Sequence, residues 1–183
     1  MKIQGKILLI ILLLACGTLA YAAYSHRPYS YRMSAFVTDL KARTPSQREN
    51  ILRAAASLDQ KILQPGEVFS LNALAGPYTE ARGYQVERSI RGKKMIFTPG
   101  GGVCQVASTL YNAARGADLE IVERVPHTQR VESVPRGMDA SLSYAWADLK
   151  FRNNQSFPIK LAVRELNDQL LLEVWGQEVE DEN

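Results

Sequence analysis

The stretch Gly100-Gly101-Gly102-Val103-Cys104-Gln105-Val106-Ala107-Ser108 sets three successive glycines against a predicted helix whose first residues include a cysteine. Glycine reaches positive φ without steric cost, and the first N–H groups of a helix lack intrahelical partners. Such a turn favours anions, and the partial positive charge of a helix start moves a thiol toward the nucleophilic thiolate. Cys104 is therefore a candidate nucleophile, with the N–H groups of Val103 to Gln105 as candidate oxyanion donors. Thiol chemistry also needs a base and a group that orients it. His127, the sole histidine apart from His26 near the N-terminus, is the candidate base. Asp139 follows Pro135-Arg136-Gly137 at an irregular strand start, where functional side chains are commonly carried, and is the candidate orienting group. Asp148 is the other candidate, but it shares strand parity with Lys150 and Arg152 and is expected to face solvent. Gly100, Gly101, Gly102, Gln105, Ser108 and Asn72 are expected to contact substrate.

A second reading stays open. Free cysteine is among the most buried residue types, so Cys104 also fits a packed residue in a non-catalytic module whose glycine turn grips a carboxylate or peptide terminus. One histidine and one cysteine do not make a closed four-ligand zinc site. The glycine turn lacks the Gly-Lys-Ser/Thr ending of a phosphate loop. No metal and no cofactor are expected.

The elements that would position these residues read as follows. Val103, Val106, Ala107, Leu110, Ala113 and Ala114 recur at helical spacing as one apolar stripe, with Cys104 at its edge. Thr44-Pro45-Ser46-Gln47 combines an N-cap, a first-turn proline and a reciprocal glutamine. It predicts a helix with Ile51, Leu52, Ala55, Leu58 and Ile62 on one face, ended by Pro65-Gly66. Strands are expected over 67–71, 119–125, 141–144, 148–152, 159–165 and 170–175, the last two forming a hairpin across Asn167-Asp168. Arg91-Gly92-Lys93-Lys94 reads as a hairpin turn. The fold class is α+β: two main helices on a mostly antiparallel sheet, with the cysteine at the N-terminus of the second helix.

The apolar run from Ile7 to Ala15 after Lys2 and Lys6 has the pattern of an export signal. Cleavage after Ala22, retention as a membrane anchor, and lipidation of Cys16 within Leu13-Leu14-Ala15-Cys16 are its three fates, with an anchored or lipidated form preferred over free secretion. The expected organisation is a signal or anchor over 1–23, a linker over 24–43, one domain over 44–177 and an acidic tail over 178–183. An exported small protein normally pairs its cysteines, so a lone thiol at Cys104 points to function. The formal charge of +3 falls to +1 once Lys2 and Lys6 are set aside, which argues against nucleic acid as a partner. The expected partners are a cell-wall peptide or other envelope ligand, and the membrane through the N-terminal segment.

Pro65-Gly66-Glu67-Val68-Phe69-Ser70-Leu71-Asn72, Gly76 to Gly83-Tyr84, the Gly100 to Ala114 segment, Leu119 to Arg124 with His127, Gly137-Met138-Asp139-Ala140 and Asp148 to Asn153 together resemble the VanW-like proteins. The likeness covers most of residues 46–165. It implies a bacterial envelope setting associated with glycopeptide (vancomycin) resistance, and implies no particular reaction. The matching positions are Gly100, Gly101, Gly102, Cys104, Gln105, Ser108, His127 and Asp139, without assigned roles. Ala107 stands where the family often has serine, and Tyr144 to Ala147 departs from its usual glycine-rich turn. The Cys, His, Asp order is also similar to that of transglutaminase-like and papain-type thiol enzymes, by order alone. The expected activity is thiol acyl transfer or amide hydrolysis on a wall peptide, against the binding-module alternative.

Overall fold

The computed structural model describes Cys16, residues 28–91 and residues 94–178. In chain order the elements are β1 (Tyr31–Asp39), α1 (Pro45–Ala56), β2 (Ile62–Leu63), β3 (Val68–Ser70), α2 (Leu71–Ala75), a 3-10 turn (Glu80–Arg82), β4 (Val86–Arg91), β5 (Lys94–Pro99), α3 (Cys104–Gly116), β6 (Glu120–Arg124), β7 (Leu149–Arg152), β8 (Ile159–Leu166) and β9 (Gln169–Gly176). The fold is α+β. Every strand pair among the described residues is antiparallel. The strands form not one sheet but three, ordered β1-β9-β8-β2, β3-β7-β6 and β4-β5.

The helix starts follow local chemistry. Thr44 Oγ1 accepts the Gln47 N–H at 3.1 Å while Gln47 Oε1 accepts the Thr44 N–H, so the capping box forms with Pro45 in the first turn. The helix stops at Ala56, short of the expected end. Gln60 takes φ 61°, and its N–H bonds the Leu161 carbonyl, so Leu58 lies in a turn and Ile62 pairs with Lys160 of β8. Strand partners outside the segment override its helical periodicity here. The β4–β5 hairpin pairs Arg91 with Lys94, as its turn signal implies, while Gly92 and Lys93 lie outside the described residues.

Residues 31–39, inside the stretch expected to be a linker, form β1 and pair along most of β9. A register shift between Arg32 and Ser34 breaks the strand's side-chain alternation, which hid its apolar face from a period-two reading. The expected strand over 141–144 is instead irregular and leads into a tight turn over 144–146, with a single bridge between Ser143 and Ala147. Residues 1–15 and 17–27, which carry most of the expected signal and His26, lie outside the described residues, as does most of the acidic tail. Cys16 is exposed. Among the described residues no helix is long and apolar enough to cross a membrane.

The centre of the molecule is α3, which packs against β1 and β9 on one side and β6 and β7 on the other. A helix enclosed by two sheets must bury more than one stripe. Val106, Ala107, Leu110, Ala113 and Ala114 are fully buried as expected, and so are Gln105, Ser108, Thr109 and Asn112. These polar groups are satisfied: Ser108 and Thr109 donate to the carbonyls four residues back, and Asn112 Nδ2 bonds the Ser108 and Met138 carbonyls at 2.7 Å each. Around the helix Leu149, Phe151, Ile159, Leu161, Leu170 and Leu172 are sealed from solvent, each contributing roughly 1.5–3 kcal/mol by burial. Phe151 stacks on Phe69 with ring centroids 4.7 Å apart, joining β7 to β3.

Candidate active site

Cys104 is the first residue of α3 and is half-buried. The turn before it is shaped by tertiary contacts. Gly100 and Gly102 take φ of 83° and 105°, and a Cβ on Gly101 would lie 2.6 Å from the Arg88 carbonyl oxygen. Glycine at 101 therefore serves the close approach of the turn to β4. Asn50, fully buried on α1, ties the two together: its Nδ2 bonds the Gln85 and Gly101 carbonyls, and its Oδ1 accepts the Gln85 N–H at 2.7 Å. The Val103 and Gln105 N–H groups, expected to face an oxyanion, donate to the Gly100 and Gly102 carbonyls. The turn consumes two of the three donors to hold its own shape.

The loop between β6 and β7 brings the remaining groups to Cys104. The Cys104 thiol donates to the Leu142 carbonyl at 3.8 Å and shares a cleft wall with the His127 ring. The ring Nδ1 lies 2.8 Å from Asp139 Oδ2, which leaves Nε2 as the ring nitrogen for the thiol. The same carboxylate oxygen accepts the His127 backbone N–H at 2.6 Å. Arg124 bonds Asp139 Oδ1 at 3.1 Å and the Asp139 carbonyl at 2.7 Å, and its guanidinium lies over the Tyr111 ring. Both the His127 and Asp139 side chains are less than a tenth exposed. The Leu142 N–H points at Cys104 Sγ across 3.3 Å.

Burial pushes the His127 imidazole pKa down, but the hydrogen bond and charge of Cys104 and then those of Asp139 outweigh it and hold the ring above its ordinary value. Burial acts to raise the Asp139 carboxyl. The His127 backbone and ring hydrogen bonds, its own N–H and the imidazolium charge reverse this and hold it below the usual range. The fixed carboxylate orients the imidazole and leaves its other nitrogen for a partner in the cleft.

Ser108 and Asn112 stand four and eight residues after Cys104, on the same side of α3. Ser108 Oγ donates to the Cys104 carbonyl and accepts the Ala140 N–H at 3.0 Å, while Asn112 holds Met138. They fix the 138–140 segment, and hence Asp139, against the helix. The spacing 104, 108, 112 was the available signal for Asn112, which sequence reasoning missed. Gln105 serves the other side: Nε2 donates to Thr38 Oγ1 and the Asp39 carbonyl at 2.9 Å each, and Oε1 accepts from Arg43 Nε at 2.6 Å.

Two expectations require correction. Asp148 is buried, accepting from Ser70 Oγ at 2.6 Å and from the Asn72 N–H at 2.9 Å, so it caps the β3–α2 junction instead of facing solvent. Asn72 is buried too; its Nδ2 bonds the Ser143 and Ala147 carbonyls and its Oδ1 accepts from the Tyr78 hydroxyl. It holds the 143–147 turn, one wall of the site, and does not line the clefts described next.

Cys104 opens into two clefts. One, of about 280 Å³, lies between α1, β4–β5 and the 130–133 loop, with Gly102, Gln105, Ser108 and His127 in its wall. The other, of about 340 Å³, is walled by Tyr78, Gly100, Leu142, Tyr144 and Trp146. Tyr144 and Trp146 are more than half exposed. Among the described residues no group of three or more His, Cys, Asp or Glu side chains is placed to hold a metal ion.

A family model described as VanW like protein matches residues 46–175, from α1 to the end of β9 and through Cys104, His127 and Asp139. The chain belongs to the VanW-like family. It is 32% identical over 148 residues to the uncharacterized protein YoaR of Bacillus subtilis, covering 81% of this chain and 49% of that one. It is 28% identical over 128 residues to the vancomycin B-type resistance protein VanW of Enterococcus faecalis, covering 67% and 46%. The chain spans about half the length of these curated relatives. No solved structure matches this VanW-like fold significantly.

Proposed function

We propose that this VanW-like protein works in the cell envelope and transfers or hydrolyses an acyl group of a wall peptide through Cys104. The observation that carries the reading is that the His127 ring, held by Asp139 at 2.8 Å, lines the same cleft as Cys104. His127 takes the thiol proton, Sγ attacks the amide carbonyl, and a carbon–sulfur bond forms. The carbon–nitrogen bond then breaks as His127 returns the proton to the leaving amine, giving a thioester and a free amine. Water or a second amine takes the acyl group and restores the thiol. Asp139 orients the ring and stabilises its protonated form, and the Leu142 backbone holds the sulfur in place. Clefts on both sides of Cys104 suit a chain substrate held across the scissile bond.

A binding module working through the Gly100–Gly102 turn draws less support, because two of its N–H donors are used within the turn. The likeness to the E. faecalis vancomycin B-type resistance protein supports an accessory role in glycopeptide resistance, and the apolar N-terminal run supports a membrane-anchored or lipidated form.

The test is alkylation by iodoacetamide, with the labelled site read by peptide mass. Cys104 is expected to react faster than the exposed Cys16, with its rate falling about a hundredfold in His127→Ala, the lower end of general-base effects. Wall-peptide cleavage is expected to vanish in a folded Cys104→Ser protein. A Cys104 that reacts no faster than Cys16, together with undiminished activity in Cys104→Ser, overturns the reading.

A further inference from the structure

The cleft beside α1 has a charge pattern that thiol chemistry alone does not require. Its wall carries Arg43, Arg88 and Arg130 against the single carboxylate of Glu132, on a molecule whose overall charge is only +3. Arg43 is held there by a buried network. Thr38 and Thr109 hydroxyls meet at 2.8 Å, and Gln105 donates both amide hydrogens to Thr38 and Asp39. The amide is thus forced to turn its oxygen toward Arg43 Nε. The Nε of the guanidinium therefore bonds a neutral amide and not a carboxylate, on a residue that lines the cleft. Burial lowers its pKa, Glu132 opposes this, and the like charge of Arg88 lowers it further. Glu87 lies 3.8 Å from Arg88 Nε and Glu132 faces Arg43, yet three guanidinium groups share the wall with one carboxylate, so an anion in the cleft is stabilised, and the planar fork matches a carboxylate.

We propose that this cleft binds a carboxylate of the substrate, so that the peptide acted on at Cys104 carries a free carboxylate close to the scissile amide. The assignment names the substrate class of the site proposed above and rests on that reading. Arg43 is the fixed donor, and Arg88 and Arg130, both exposed, close over the anion from β4 and the 130–133 loop. The second cleft, with its neutral Tyr144 and Trp146 wall, takes the uncharged side of the chain.

The probes are N-acetyl-alanyl-alanine with a free C-terminus and its C-terminal amide, titrated by NMR into the full chain carrying Cys104→Ser so that no turnover intervenes. The free acid is expected to bind about tenfold tighter than the amide, as for one charge-assisted contact, with the preference falling as salt rises. Arg88→Gln combined with Arg130→Gln changes only exposed side chains and is expected to remove most of the preference. Arg43→Gln removes it and Arg43→Lys restores it in part. Equal binding of acid and amide, or no binding of either, overturns the inference. Because the probe is read without the thiol, this outcome is separate from the alkylation result: a reactive Cys104 with no carboxylate preference removes the substrate class alone.

Discussion

His127 and Asp139 stabilise each other's charged forms, and the direction of both shifts gives the pH dependence. The His127 pKa is raised above its ordinary value near 6.5, so its contribution to stability is complete below about that pH and is lost as pH rises through the folded value. The Asp139 pKa is lowered from near 3.8, so its contribution is present above that pH and is lost as pH falls through the folded value. Asp139→Asn keeps the shape and removes the charge. In that variant the His127 ring, followed by NMR, is expected to titrate at lower pH than in the wild type. The destabilisation, about 1–3 kcal/mol for a buried partner lost, is expected to be larger near pH 6 than near pH 9. An unchanged titration would show that Cys104 alone holds the ring charged.

At the scale of elements, the site is the meeting of one helix start, one hairpin and one long loop. The glycine turn joins them by letting the α3 start reach the backbone of β4, with Asn50 bonding both. Gly101→Ala places a methyl group against the Glu87 and Arg88 carbonyl oxygens, so the hairpin must move off the helix. The expected cost is about 1–3 kcal/mol, with a fall of several degrees in Tm and a slower alkylation of Cys104. Calorimetry and the iodoacetamide rate check the two together. A stable variant with an unaltered Cys104 rate would mean that the turn is free to relax and that its glycine is not required by packing.

For the molecule as a whole, β1 decides how much chain the fold needs. It pairs with β9, supplies the Thr38 hydroxyl and the Asp39 carbonyl to Gln105, and sets Arg32 against the buried Glu173 at 3.0 Å. A chain beginning at Thr44 keeps Cys104, His127 and Asp139 but strips the buried Gln105 side chain of Thr38, Asp39 and Arg43 and takes Arg32 from Glu173, which keeps Trp175 and Arg164. It is expected to lose cooperative thermal unfolding, monitored by circular dichroism, because unpaired buried polar groups are costly. Cooperative melting of that chain would return residues 31–39 to the role of a tether.

Local signals were enough for much of this. The capping box at Thr44, the apolar stripe of α3, the β8–β9 hairpin and the glycine-cysteine junction are all written in short spacings, since caps, turns and helical phase depend on neighbours within a few residues. Cys104, His127 and Asp139 were singled out from residue types and chain order, while the His127–Asp139 pairing comes from a long irregular loop fastened by Ser108, Asn112 and Arg124. What the tertiary structure alone decided is which polar groups are sealed inside. Asp148 and Asn72 became anchors of a turn, the oxyanion donors were turned inward, a segment read as a linker became a strand, and three arginines distant in sequence were gathered on one side of the thiol. Each of these depends on partners from other parts of the chain, and periodicity within one segment carries no record of them.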